Sequence, residues 1–129
     1  MTRIEELLVR RNQVAMMYNE RLASLPGVTI PCALSEGRRS WFVYVIRLGP
    51  EYDRDSVMME MQKRGVPTRP YFTPIHLQPL YVEKFGYRPG AFPNAERISR
   101  TTLALPFHNR LSPNQIDFVA DALATSLKV

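Results

Sequence analysis

Trp41-Phe42-Val43-Tyr44-Val45-Ile46-Arg47-Leu48 is almost wholly β-branched or aromatic, and it lies between the polar stretch Ser35–Ser40 and the breaker pair Gly49-Pro50. Residues of these types fit a pleated, buried surface, so the run is expected to be the central strand of a sheet. Its apolar character on both faces predicts a protein layer against each. Upstream, Ile4, Leu8, Ala15, Tyr18 and Leu22 recur at helical spacing among charged and amide residues, which predicts an amphipathic helix over about 3–24. Pro26-Gly27 ends it, and Val28–Pro31 reads as a short strand.

Downstream of the central strand, Asp53 is placed to cap a helix running to Lys63-Arg64, with Val57, Met58 and Met61 on one face and Gly65 after its end. Six of the eleven prolines fall between Pro67 and Pro93, interleaved with Tyr71, Phe72, Tyr81, Phe85, Tyr87 and Phe92. Each proline removes a donor and restricts its predecessor, so this stretch holds at most a short helix near Gln78–Phe85. A helix from Pro93-Asn94 to about Arg100 and a strand at Leu103–Leu105 follow. Ser112-Pro-Asn-Gln115 has capping-box spacing with proline at the first helical position, and Ile116, Val119, Ala120, Leu123 and Leu127 form the stripe of a final helix. The expected class is α+β: a sheet of three or four strands against two long terminal helices and two shorter ones, in a single domain over 1–129.

Composition limits the chemistry. No uninterrupted apolar run approaches the ~20 residues of a membrane span. Met1-Thr-Arg-Ile-Glu-Glu6 shows no export signal, so a cytoplasmic setting is expected. Cys32 is the only cysteine, which excludes an intrachain disulfide and predicts a buried or half-buried thiol rather than a nucleophile. The net charge of +5 is dispersed apart from the doublets Arg10-Arg11 and Arg38-Arg39, so nucleic acid is not the expected partner. His76 and His108 are the two histidines and lack metal-ligand spacing, so no metal is expected. The six glycines are scattered, so no phosphate loop is present, and no nucleophile elbow accompanies any serine.

The most specific segment is Arg69-Pro-Tyr71-Phe-Thr-Pro-Ile-His76-Leu-Gln78-Pro-Leu-Tyr81, in which a guanidinium, a phenol, an imidazole and an amide share a proline-stiffened backbone. Little conformational entropy is lost when such a segment grips a polar ligand. The plainer reading, that His76 caps a nearby group and Tyr71 merely packs, stays open beside it.

Arg54-Asp55, Gly65-Val-Pro-Thr-Arg-Pro-Tyr-Phe-Thr-Pro-Ile-His-Leu-Gln-Pro-Leu-Tyr81, Phe85-Gly-Tyr87, Phe92-Pro-Asn-Ala-Glu96 and Leu103-Ala-Leu-Pro-Phe107 together resemble the C-terminal region of the DegT/DnrJ/StrS-type sugar aminotransferases. The resemblance implies the small domain of an aspartate-aminotransferase (fold type I) architecture. It also implies an enzyme that, when whole, uses pyridoxal phosphate to aminate a nucleotide-linked sugar as a homo-oligomer. It places Arg69, Tyr71, His76 and Gln78 on the substrate cleft, with Asn94 and Glu96 at or beside a family position. Glu96 also reads as an acid favoured by the start of a helix. Thr73 stands where relatives commonly carry proline or an aliphatic residue.

Family members are about three times as long, and the large domain that carries the cofactor and its lysine lies outside the resemblance. Transamination needs a lysine amine to hold the cofactor. Lys63, Lys84 and Lys128 are the three lysines, and all read as solvated surface. No catalytic residue is therefore expected, and no cofactor held by this chain alone. A stand-alone nucleotide-sugar or protein-binding module and a small basic RNA-binding fold remain as alternatives.

Overall fold

The computed structural model describes residues 3–32, 37 and 39–128. Its elements are α1 (Arg3–Leu22), β1 (Val28–Thr29), β2 (Tyr44–Leu48), α2 (Arg54–Lys63), β3 (Arg69–Pro70), a 3-10 turn (Ile75–Leu77), α3 (Pro79–Phe85), α4 (Pro93–Thr101), β4 (Thr102–Leu105) and α5 (Pro113–Ser126). The strands form one antiparallel sheet in the order β1-β2-β4-β3, so the expected α+β class and its four-stranded upper bound both hold. Of the polar loop expected at Ser35–Ser40, residues 35, 36 and 38 lie outside the described residues.

The registers Tyr44↔Leu105 and Ile46↔Leu103 put four apolar side chains on one face. These pack with Val14, Tyr18 and Leu22 of α1, Val57 and Met61 of α2, and Ile116, Val119 and Leu123 of α5 in one core. The helix ends follow local chemistry. Asp53 accepts from the Ser56 backbone N–H at 2.9 Å, and Ser112 with Gln115 completes the capping box. Gly27 is required twice over. Its φ is +72°, and a Cβ there would sit 2.2 Å from the Tyr52 ring.

Three expectations are corrected. The central strand begins at Tyr44 rather than Trp41, because Trp41 takes a left-handed φ of 51° that turns its indole inward. The indole donates to Asn12 Oδ1 at 3.1 Å and stacks on Tyr44, while Arg11 Nη1 donates to the Trp41 carbonyl at 2.9 Å. Secondly, the described residues bury one face of the strand and cover the other only in part. Tyr44, Ile46 and Leu48 are buried, but Val45 is half-buried, Arg47 is exposed, and Phe42 is 78% exposed. Thirdly, Cys32 is exposed rather than buried, since it follows the short β1 at the edge of the sheet.

The arginine doublets have ordinary tasks where they are described. Arg10 pairs with Glu6 at 2.7 Å, Arg11 holds the Trp41 turn, and the Arg39 guanidinium lies 4.6 Å from the Trp41 ring centroid. The proline-rich stretch contains no long element, as expected, and its helix is α3. The two-residue β3 was not expected. It is an edge strand, where Pro70 costs no ladder bond.

Candidate functional site

The segment Arg69–Tyr81 leaves the sheet edge at β3 and crosses exposed surface to α3. Arg69 is exposed and sits opposite Ala104 in the register. Tyr71 is partly exposed, and its ring lies 4.8 Å from that of Phe72, which takes a left-handed φ of 54° and is 70% exposed. For a bulky non-glycine residue such a backbone is strained, and it turns the Phe72 ring toward solvent. A shallow cleft of about 320 Å³ lies beside Tyr71, floored by Val43 and Val45 of the partly covered sheet face and flanked by Arg39 and Phe42.

His76 turns the other way. It is 7% exposed, and its Nε2 lies 3.0 Å from Glu96 Oε1. Phe92 meets the imidazole edge-on at 4.8 Å, and Tyr87 does so at 6.3 Å. Gln78 is exposed at the N-cap of α3, where its carbonyl accepts from the Tyr81 and Val82 amides and its side chain makes no capping bond. Arg69 and Tyr71 therefore belong to the open side, and His76 to a buried site formed with Tyr87, Phe92 and Glu96. No described contact joins Tyr71 to His76.

Glu96 is the residue that sequence reasoning undervalued. It stands near the start of α4, as expected of a helix-start acid, yet it is only 3% exposed. Its Oε1 accepts from the Gly90 amide at 2.8 Å and more distantly from the Phe92 amide at 3.4 Å, in addition to His76, while Oε2 lies 3.4 Å from Arg100 Nη2. The His76 hydrogen bond, followed by these backbone donors, holds its carboxyl below the usual glutamate range against the opposing cost of burial. The available signal was an acid one position beyond the capping-box site, reaching back to the N-cap amide of Phe92. Asn94 is exposed and accepts from Arg97 at 3.5 Å.

α4 is fixed at its other end by Arg54. That side chain is 13% exposed, and its Nη1 donates to the carbonyls of Ser99 and Thr102, each at 3.1 Å. Between Arg54 and Glu96 lies a cleft of about 550 Å³, also lined by Arg97 and Arg100.

The three lysines offer no enclosed amine. Lys63 pairs with Glu60 at 2.5 Å on the surface of α2, Lys84 lies 5.6 Å from the Phe85 ring, and all three are exposed. These residues do not fit a covalently held aldehyde cofactor, which needs a desolvated or otherwise activated amine. Among the described residues there is no group of three potential metal ligands, and no helix is long and apolar enough to cross a membrane.

A model of the DegT/DnrJ/EryC1/StrS aminotransferase family matches residues 1–124. The spore coat polysaccharide biosynthesis protein SpsC of Bacillus subtilis is 28% identical over 98% of this chain and 33% of its own length. A dTDP-4-dehydro-2,3,6-trideoxy-D-glucose 4-aminotransferase of Saccharopolyspora spinosa is 34% identical over 92% of this chain and 30% of its own. The crystal structure of the aminotransferase TlmJ from Streptoalloteichus hindustanus superposes with a TM-score of 0.85 at 30% identity, covering 98% of this chain and 33% of that one. The chain thus spans about a third of the length of the relatives it matches.

Proposed function

We propose, for a chain that belongs to the DegT/DnrJ/EryC1/StrS aminotransferase family, that it is the C-terminal small domain of a pyridoxal-phosphate-dependent nucleotide-sugar aminotransferase, with 1–129 as one domain. In this reading it supplies wall, not engine. Arg69, Tyr71 and Gln78 present a cation, a phenol and an amide on a stiff exposed segment, suited to phosphate oxygens and sugar hydroxyls. The cofactor's chemistry, an electron sink for amino-group transfer, comes from residues outside these. The observation that carries the reading is the family match across nearly the whole chain at a third of the relatives' length.

Exposed Phe42, Phe72, Ile75, Leu80 and Phe85 support a further part of the proposal, that the chain self-associates through this apolar surface. The free, exposed Cys32 suits the reducing cytoplasm, where we place the protein. The test is amide-shift mapping with dTDP-glucose. Perturbations confined to Arg69–Gln78 and the neighbouring Val43–Val45 strand support the cleft assignment, and shifts scattered elsewhere or absent at millimolar ligand contradict it. The purified chain is expected to show no transamination with pyridoxal phosphate and an amino donor.

A further inference from the structure

The exposed part of the recognition segment is easy to place in a cleft, but its one imidazole is buried against Glu96 and Phe92, which requires explanation. A buried carboxylate survives only when donors replace its water. Glu96 meets this requirement with three donors on one oxygen: the His76 ring and the Gly90 and Phe92 amides. His76 Nε2 must therefore carry the proton, since a carboxylate is acceptor-only. In the neutral ring Nδ1 then holds the lone pair. The hydrogen bond described for the ring is the one at Nε2. The Phe92 and Tyr87 rings fix the plane of the imidazole.

We propose that Glu96 is a positioning residue. It locks the proton of His76 on Nε2, leaves the Nδ1 lone pair to accept from a ligand hydroxyl, and ties the Gly90–Phe92 turn to the same oxygen. The ligand part of this inference rests on the reading that the Arg69–Tyr81 segment lines a nucleotide-sugar cleft; the lock itself does not. Glu96 touches no ligand in this scheme and acts only through His76 and the turn. Arg54, by holding the far end of α4, keeps the carboxylate at the right depth.

The test uses the full chain labelled with nitrogen-15. The wild type is expected to show a slowly exchanging His76 Nε2–H resonance. Glu96→Gln retains an oxygen acceptor and is expected to keep that resonance. Glu96→Ala is expected to lose it, with amide exchange at Gly90 and Phe92 rising about 10- to 100-fold, the range for losing a charge-assisted hydrogen bond. A merely structural glutamate would not move the imidazole proton. A proton found on Nδ1 in the wild type, or an Nε2–H resonance unchanged in Glu96→Ala, overturns the inference. Should Glu96→Ala not fold, the wild-type and Glu96→Gln spectra still decide. With dTDP-glucose as the probe, a silent Nδ1 beside an intact Nε2–H resonance defeats the cleft reading and leaves the lock standing.

Discussion

Replacing Arg54 with methionine tests how the site is held. The variant keeps most of the aliphatic stem, so packing changes little and the loss is that of the guanidinium. In the native chain Nη1 donates to the Ser99 and Thr102 carbonyls at the C-terminal end of α4, where a cation also opposes the helix dipole. A hydrogen bond from a charged group contributes about 1.5–3 kcal/mol. The two bonds share one nitrogen, and water can reach the freed carbonyls in part, so they do not add fully. The expected loss is about 2 kcal/mol. The ion pair with Asp55 contributes little, because that carboxylate is largely exposed. Asp55→Asn is therefore expected to stay within about 0.5 kcal/mol of wild type. Urea denaturation followed by the fluorescence of the single tryptophan, Trp41, measures both variants, with the m-value unchanged. If Arg54→Met and Asp55→Asn lose the same small amount, the clamp on α4 is not what the geometry implies.

Further outcomes follow from burial and charge. The Glu96 carboxyl is held below its ordinary value, so the stability it contributes is present above about pH 4.3 and is lost as pH falls through the lower folded value. Acid titration of unfolding should therefore be shallower in Glu96→Gln than in wild type, and parallel curves would count against the buried pairing. Burial pushes the phenols of Tyr18 and Tyr44 well up, with the neighbouring Tyr44 adding to the effect at Tyr18. Stability from these two groups is present below about pH 10 and declines above it, so their phenolate absorbance should develop only as the chain unfolds. Stepwise ionisation in a folded chain would refute this. The exposed rings at Phe42, Phe72 and Phe85 predict concentration-dependent self-association in sedimentation, weakened by Phe72→Ser. A strictly monomeric profile over a wide concentration range would contradict it.

What was legible in the sequence was mostly local. Asp53, the Ser112–Gln115 box and the prolines that open α3 and α4 fix helix ends through groups three or four residues away, so they can be read along the chain. The apolar stripes were equally plain, because a helix period of 3.6 brings Ile116, Val119, Ala120 and Leu123 onto one face. The failures were matters of distance. The turn at Trp41 depends on Asn12 and Arg11, some thirty residues earlier. The pairing of His76 with Glu96 spans twenty residues and an irregular loop, so neither residue type nor spacing announced it. The strand Tyr44–Leu48 read as apolar throughout, but composition does not say whether the layer over its second face comes from the same residues.

The family motifs divide along similar lines. Arg54 clamps a helix, Glu96 organises a turn, and Leu103 and Leu105 fill the core, whereas Arg69 and Tyr71 stand open to solvent. A matched motif thus marks structural duty in some places and an available surface in others, and only the three-dimensional contacts separate the two.

The central claim is that these residues shape a cleft without supplying an amine for the cofactor. Borohydride reduction of the chain with increasing pyridoxal phosphate, followed by peptide mapping, tests it most directly. The account predicts slow, non-saturating labelling spread over the exposed Lys63, Lys84 and Lys128. A stoichiometric adduct at one of these lysines, formed with saturable affinity, would contradict it.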